Sequence, residues 1–398
     1  MGFAQTVDEA GKPKHRPGKG SHHQIGLVRG QFGGVKEAEW LKFIAAAGFD
    51  GWEEASWELD LRRCDTDAGA AEYAKERVAL AKSHGLEIFT VATHLQGQVL
   101  GDEPTAKTLN FCSGKGDARP AYKAWRAAGN SPPRTDPFFV PDEVGKLMHK
   151  EATADLMAAA RYAGHLSKLQ GRKVALPGFV GSPAHCWSHW FLFPWLPGEI
   201  EGHPIPDVYQ VSLELLVERF EPVWKLCKEY GITYDLECHP SERAMGDLES
   251  ANDYIKFLDK AGFDSTVVGF NLDGSHMEWQ NVSVIQFIRE FPEYIHCAHV
   301  KGVQVEREHC RGGRLGGHKP MGHWTNGWKF VTAGTARDAN SLEEIFIELN
   351  RIKYEGAVSI EWEDNDADQF AGAKAALANC RKADLPPSGI KHDDALKG

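Results

Sequence analysis

The sequence lacks several features that would direct the chain out of the cytoplasm. It has no apolar run approaching the roughly 20 residues needed to cross a bilayer. Its first residues contain no apolar stretch of about 7–15 residues of the kind found in secretory signal peptides. The eight cysteines include no CxxC pair, and some lie in apolar patterns typical of buried free thiols. We therefore expect a reducing, cytoplasmic location with no membrane partner.

Positive charge is also scarce, with 45 Lys and Arg against 56 Asp and Glu and a formal net charge of −11. A nucleic-acid surface needs clustered Lys and Arg, so we expect no nucleic-acid partner. The first predicted strand is followed only by RGQFGG and lacks a glycine-rich phosphate fingerprint, which makes a doubly wound open sheet the weaker fold alternative. The 42% apolar and 25% charged residues are typical of a soluble globular chain.

Eight short apolar segments, the first at 25–29 and the last at 357–364, alternate mostly with helical patterns. Strands that alternate with helices indicate a parallel sheet. Eight such units fit an α/β fold of the (β/α)8 TIM barrel type, whose usual size is about 250 residues. We predict one barrel domain over 25–385, preceded by a flexible N-terminal arm at 1–24 and followed by a C-terminal tail at 386–398.

Three long insertions, at 97–140, 181–208 and 302–340, each follow a predicted strand. In a parallel barrel all strands point their C-terminal ends at the catalytic face. The insertions should therefore form a lid or walls over that face rather than a second domain. The 181–208 insertion contains Trp187, Trp190 and Trp195, and three alternatives stay open for them: stacking on a sugar ring, packing within the insertion, or a contact in a homo-oligomer.

Four consecutive predicted strands, the fifth to the eighth, end in groups that can bind metal: Glu237, Asp273, His299 and Glu361. A single Glu or His at a strand end is usually a solvated or structural residue, but four on successive strands indicate one site. Three oxygen ligands and one nitrogen suit Mn²⁺, Mg²⁺ or Co²⁺, with positions left for substrate oxygens. A closed structural zinc site would more often use thiolates. We expect one divalent cation, Mn²⁺ first, with Mg²⁺, Co²⁺ or Zn²⁺ as alternatives.

Several short motifs resemble the sugar isomerase/epimerase superfamily with xylose-isomerase-like barrels. They are ECHP at 237–240, NLDGSH at 271–276, HVK at 299–301 and IEWED at 360–364. HLQGQ at 94–98 and GWKF at 327–330 are similar to larger bacterial members. The resemblance implies that the two Glu, the Asp and the His named above bind the metal, and that Glu237 and Glu361 exchange protons with the substrate. One departure is Gly302, which follows HVK where many relatives have Asp.

The chemistry that the resemblance implies is proton abstraction from a carbon beside a carbonyl, with the resulting enediolate stabilised by the cation. We expect a metal-dependent sugar isomerase or epimerase with a small-molecule carbohydrate substrate. Coordination would lower the proton affinity of Glu237 and Glu361, so an unligated neighbour, His239 first, could be the working base. A close alternative uses the same enolising step for elimination, as a lyase, dehydratase or deglycosidase acting on a 3-keto-sugar or keto-glycoside.

Two candidate substrate contacts, His94 and Gln96, end the third predicted strand, and three more lie near the metal motifs: His276, Lys301 and Arg307. A structural role for His239 or His276, and a solvated Lys301, remain equal alternatives.

Two other classes of protein are weaker alternatives. A DNA-repair nuclease of similar fold would need a multi-zinc cluster and a basic groove, which the acidic balance opposes. A metal-free scaffold barrel would bind no stoichiometric divalent ion.

Overall fold

The computed structural model describes residues 15–113, 116–191, 193–194, 197–240, 242, 246–306, 310–315, 319–388 and 396. Its strands are β1 (Ile25–Val28), β2 (Gly51–Ala55), β3 (Glu87–Ala92), β4 (Leu176–Gly178), β5 (Glu199–Ile200), β6 (His203–Pro204), β7 (Tyr234–Glu237), β8 (Val268–Asp273), β9 (Ile295–Val300), β10 (Gly302–Val305), β11 (Trp328–Val331) and β12 (Val358–Ile360).

Eight of these strands form one parallel sheet in the order β3-β2-β1-β12-β9-β8-β7-β4. The two outer strands of that order meet each other, because Val91 N donates to Ala175 O at 3.1 Å and Thr93 N donates to Pro177 O at 2.7 Å. The sheet is therefore a nearly closed barrel, and the predicted TIM-barrel fold is confirmed. The remaining strands pair as two antiparallel ribbons, β5-β6 and β10-β11, and both follow barrel strands.

The helices are α1 (Glu37–Ala47), α2 (Asp67–Ser83), α3 (His94–Gly101), α4 (Ala106–Leu109), α5 (Ala118–Ala127), α6 (Asp142–Gln170), α7 (Cys186–Phe191), α8 (Val208–Tyr230), α9 (Leu248–Lys260), α10 (Gly274–Glu278), α11 (Val284–Glu290), α12 (Leu342–Arg351) and α13 (Gln369–Ala383). The long ones lie where the apolar periodicity predicts them. None of the described helices has the length and apolarity required to cross a membrane.

The start of α3 corrects the expectation that the third strand extends to His94 and Gln96. The strand ends at Ala92, and the chain turns into a helix at His94. The helix packs closely on the loop after β4, since a Cβ built on Gly97 would lie 1.9 Å from Phe179 O. Local sequence cannot show this contact with a distant loop. The first insertion, which begins here, is partly helical, because it contains the rest of α3 together with α4 and α5.

One large core fills the space between the strands and the helices, and its largest fully buried side chains include Trp40, Trp52 and Trp224. A second, small core lies at the C-terminal end of the barrel. It contains Trp279, Val303 and Phe330, with partly buried Val305 and Trp328 packed against it. This small core holds the β10-β11 ribbon against α10, so the ribbon forms a wall at the barrel mouth.

Part of the predicted N-terminal arm packs against the barrel. Arg16 Nη2 donates to the carbonyls of Gln170 and Gly171, each at 3.0 Å. His23 is buried, and its Nδ1 lies 2.9 Å from Asp384 Oδ1. The segment from residue 15 onward is therefore held at the N-terminal end of the barrel. The domain boundaries at 24 and 385 stay predictions.

Candidate metal centre

The four predicted metal ligands come together at the C-terminal end of the barrel. Glu237 and Asp273 are the last residues of β7 and β8, His299 lies near the end of β9, and Glu361 follows β12 directly. Parallel pairing of these neighbouring strands aligns their ends. One ligand atom from each residue lies within 4.8 Å of the others. The architecture thus converts four separate strand ends into one compact donor set.

The donors fit a divalent cation. Asp273 Oδ1 accepts a hydrogen bond from Ser275 N at 2.8 Å, whereas its buried Oδ2 faces Lys301 Nζ at 3.0 Å and accepts no hydrogen bond of good geometry from the described residues. The ammonium balances the charge of this oxygen but leaves its lone pairs without a donor, so the oxygen stays available as a metal ligand. Three carboxylates and one imidazole nitrogen form a ligand set used for Mn²⁺, Mg²⁺, Co²⁺ or Zn²⁺, so the residues could hold such an ion without identifying it.

Lys301 inserts its ammonium among the carboxylates. Its Nζ lies 2.7 Å from Glu361 Oε2 and 4.5 Å from the centre of the Phe330 ring. Burial alone would lower the pKa of Lys301, but Asp273 and Glu361 outweigh it and raise this pKa well above its ordinary value. Lys301 is therefore a charged member of the site, and the solvated alternative is wrong.

Glu53 is a member of the site that the sequence analysis missed. His299 turns Nδ1 towards Glu237 and Glu361, at 3.2 and 3.4 Å, while its Nε2 lies 3.0 Å from Glu53 Oε2. A carboxylate behind a metal-binding imidazole fixes the ring orientation and raises its basicity. The available signal was the pair of acidic residues in the strand segment WEEA. Consecutive strand residues face opposite sides, so one of the two must enter the barrel.

Glu237 is held from several directions. Its Oε2 lies 3.0 Å from His94 Nε2 and 2.8 Å from Asn271 Nδ2, and the latter donates to it. Burial would raise the pKa of Glu237, but contacts with His276, His299 and His94 lower it well below the usual range. Asn271 is a second contact that the sequence analysis missed. The carboxylate is therefore fixed in position and ionised.

Glu361 is positioned by residues from the opposite side of the cluster. Gln31 Nε2 donates to its Oε1 at 2.5 Å, and Lys301 contacts its Oε2. Burial would raise the pKa of Glu361, whereas Lys301 lowers it below the usual range. Two barrel strands, β8 and β9, separate the strands that carry Glu237 and Glu361. The two carboxylates thus approach the cluster from different directions.

His276 and His239 lie beside the cluster as a pair of rings. His276 Nε2 is 3.3 Å from Glu237 Oε1 and 3.4 Å from Asp273 Oδ2. The His239 ring centre is 4.4 Å from that of His276. β7 ends at Glu237, so His239 lies beyond the strand and is positioned by this contact with the His276 ring. Burial and the neighbouring His276 lower the pKa of His239 to about 3.

The remaining candidate substrate residues do not all lie at the metal centre. His94 joins the cluster through Glu237, but Gln96 accepts a hydrogen bond from Ser56 Oγ at 2.9 Å and lines another cavity of about 310 Å³. That cavity shares no lining residue with the cavity of about 370 Å³ next to His276. Arg307, Trp195 and the side chain of Trp190 lie outside the described residues, whereas Trp187 lines the second cavity.

Gly302 has a local structural explanation. A Cβ at this position would lie 2.6 Å from Val331 O and 3.0 Å from Asp338 Oδ2. The β10-β11 ribbon and the Asp338 carboxylate therefore fill the space that a side chain would need. This sequence departure reflects the close approach of the third insertion to the end of β9.

A parallel barrel with metal-competent carboxylates at its C-terminal strand ends defines a class of TIM-barrel proteins with a candidate metal centre. Residues 150–383, more than half of the chain, match the family model described as xylose isomerase-like TIM barrel. The chain belongs to that family.

Solved structures with the same fold include 3-keto-D-glucoside 4-epimerase, YcjR, from E. coli. That similarity has a TM-score of 0.51 and 13% identity and covers 90% of this chain and 99% of the other. D-psicose 3-epimerase from Clostridium cellulolyticum H10, solved with D-tagatose, has a TM-score of 0.50 and 17% identity, and the similarity covers 90% of this chain and 99% of the other. The probable 3-DHS dehydratase AsbF from Bacillus anthracis has a TM-score of 0.50 and 14% identity, with 89% of this chain and 99% of the other covered. At these identities the likeness establishes the fold.

A curated relative from Bacillus subtilis (strain 168), the uncharacterized protein YfiH, is 32% identical over 112 residues. The match covers 28% of this chain and 36% of that protein. The chain thus spans about a third of the relative's length, and this similarity transfers no activity.

Proposed function

We propose that this protein is a divalent-metal-dependent sugar isomerase or epimerase that moves a proton at a carbon next to a carbonyl. The observation that supports this most directly is the cluster of Glu237, Asp273, His299 and Glu361, whose ligand atoms lie within 4.8 Å of one another. Family membership and the epimerases that share the fold are consistent with it. Mn²⁺ is the metal we propose first, and a small carbohydrate is the proposed substrate.

When bound, a divalent cation would polarise the substrate carbonyl and make the adjacent C–H more acidic. The chain's own residues would then move the proton. Glu237, fixed by His94 and Asn271, and Glu361, fixed by Gln31 and Lys301, are ionised carboxylates that approach from different directions. One can take a proton from one face of the substrate carbon, and the other, once it has taken a proton from water, can deliver that proton to the opposite face, which inverts the carbon.

Lys301, His276 and His239 are proposed to bind the substrate. The ammonium of Lys301 and the imidazole of His276 lie 3.1 Å apart beside the carboxylates, so both can reach a sugar oxygen at the cluster. His239 Nδ1 lies 2.6 Å from Pro240 O and donates to it. This bond leaves Nε2 as the ring nitrogen that can accept a proton, which keeps His239 as the alternative base.

Elimination from a keto-sugar or keto-glycoside by the same enolising step is the second candidate. The cavity that His239 and His276 line favours it, because this cavity offers room beside the cluster for a group that leaves the sugar. The neighbours that share the fold include both a 3-keto-glucoside epimerase and a probable dehydratase, so the fold is compatible with both outcomes.

The test uses the full chain in D₂O with free ketoses and with 3-keto-glycosides, before and after treatment with a chelator. We expect deuterium at the carbon next to the carbonyl, lost with the metal and restored by Mn²⁺. Accumulation of an epimer or isomer supports the first candidate, and release of the aglycone supports the second. Exchange that persists in the metal-depleted protein would contradict both.

A further inference from the structure

A cavity of about 370 Å³ opens next to the metal centre. It lies between α10, the loop after β7 and the β10-β11 ribbon. His276 lines it and also lies 3.3 Å from Glu237 Oε1, so the cavity and the cluster share a residue. A molecule that reaches the cluster from this side must pass along the cavity wall.

The wall is flat and aromatic. The rings of Trp279 and Trp328 stack with centres 4.6 Å apart and planes inclined by 6°. The edge of Phe330 meets Trp328 at 5.2 Å. Trp279 and Phe330 belong to the small core that holds the ribbon in place, so the wall is part of a packed unit. Aromatic walls of this kind favour other rings, by stacking or by edge-to-face contact.

Several hydrogen-bonding groups on this wall are engaged within the protein, and most of the surface that lines the cavity is apolar. An Arg314 guanidinium N–H is bonded to Trp279 O, and Trp328 Nε1 donates to Arg314 O at 3.0 Å. His239 Nδ1 donates to Pro240 O. Trp279 Nε1 differs, because it is buried and meets no acceptor in the part of the chain that the structure describes. One ligand oxygen could accept from it, but most of the wall offers apolar surface.

Apolar side chains at the rim of the cavity are exposed. Leu315 is 61% and Met321 is 49% exposed, and both line the cavity. Large apolar side chains left open at a cavity rim are characteristic of a surface that a ligand or partner covers. Their position on the same cavity as His276 connects this surface to the candidate active site.

We propose that this cavity binds a flat, apolar aglycone, so that the substrate is a glycoside with an aryl or similar group and not a free sugar. This inference rests on the proposed function, which puts the sugar ring at the metal centre. The size agrees, because an apolar cavity of about 150 Å³ already holds benzene. A cavity of about 370 Å³ therefore has room for a substituted ring and for its junction with the sugar.

The first measurement compares the affinity of the purified protein for 4-nitrophenyl β-D-glucopyranoside and methyl β-D-glucopyranoside by titration calorimetry. We expect the aryl glucoside to bind at least about ten-fold more tightly, because only its ring can cover the aromatic wall. Equal affinities would overturn the proposal.

The second measurement repeats the comparison with variants. Trp328→Leu removes one of the stacked rings, and Leu315→Gln makes the exposed rim polar with little risk to the fold. Both should reduce the aryl-over-methyl preference several-fold. Trp324→Ala is the matched control, since Trp324 is exposed in the same insertion but does not line the cavity. A preference that survives both cavity variants, or that Trp324→Ala also abolishes, would overturn the proposal.

The binding measurements and the deuterium-exchange measurements test this inference and the proposed function independently. If the aryl preference is present but no keto-sugar or keto-glycoside exchanges deuterium, the proposed function fails and the aglycone cavity stands. If free ketoses exchange deuterium in a metal-dependent way but the aryl preference is absent, the proposed function stands and the aglycone cavity is wrong.

Discussion

His299 Nε2 lies 3.0 Å from Glu53 Oε2, on the side of the imidazole that faces away from Glu237 and Glu361. Thr90 Oγ1 donates to the same Glu53 oxygen at 2.7 Å. Two strands of the barrel thus support a residue of a third. The orientation of His299 depends on a carboxylate that does not itself belong to the four-residue cluster.

Glu53→Gln should therefore weaken metal binding by about 10–100-fold, because the imidazole loses the partner that fixes its orientation and raises its basicity. Competition with a fluorescent chelator measures the change. Glu54→Gln is the matched control: Glu54 contacts Arg77 and Tyr162 instead, so its substitution should lower the free energy of unfolding and leave metal affinity unchanged. Wild-type affinity in Glu53→Gln would contradict this role.

Glu237→Gln and His299→Ala should each remove most of the bound metal, since the remaining donors cannot replace the lost charge or electron pair. The loss should exceed the roughly 10–100-fold effect of a supporting residue. Elemental analysis after dialysis gives the metal content, and circular dichroism verifies the fold. Glu143→Gln, at an exposed position on α6, serves as the control. Full occupancy in both variants would refute the assignment of the four ligands.

His239→Ala should keep its metal and lose about 10²–10⁴-fold in rate if His239 is the general base. Its ring contacts His276 and is not among the four clustered donors, so metal content should not depend on it. Deuterium exchange at the substrate's α-carbon is measured beside a metal titration, with His84→Ala as a distant control. Unchanged exchange in the fully metallated variant would leave the proton transfer to Glu237 or Glu361.

Asp338 should make stability fall as the pH rises from about 4 to 6. Burial raises its pKa from 3.8 to about 6, even though Val303 N, Asn340 N and Gly334 N donate to it. The folded state therefore binds more protons than the unfolded state over this range, and ionisation costs stability. The shift corresponds to at most about 3 kcal/mol.

Urea unfolding of the wild type and of Asp338→Asn, at several pH values with a chelator present, measures this effect. The free energy of unfolding of the wild type should decline relative to that of the variant between pH 4 and 6. Parallel curves would show that Asp338 does not titrate in this range.

The strand-end ligands could be predicted from sequence because parallel strands deliver their last residues to a common face. Glu53 could not be assigned in this way, since it lies within a strand and its role depends on how β2 faces β9 across the barrel interior. His94 was placed correctly at the mouth but in the wrong element, because the helix it begins depends on a close contact between Gly97 and Phe179. The separation of Gln96 from the cluster follows from that helix.

The barrel wall was predictable from the alternation of strands and helices, whereas the insertions were not. The small core around Trp279 joins the end of α10 to a ribbon that is distant in sequence, so its packing cannot be read from local patterns. Gly302 is another position whose environment local sequence does not predict. The need for glycine there comes from Val331 and Asp338, which reach it only after the third insertion folds back.

Closure of the sheet between β3 and β4 has a consequence for how two copies of the chain could meet. A closed sheet offers almost no unpaired backbone to which a foreign strand could add. The outer side of β10 is also covered where Asp338 and Ala339 bond to the main chain of Val303. Aggregation by edge-to-edge pairing is thus disfavoured at these places. At these strands, contact with another copy of the chain would have to form through side chains and not through backbone pairing.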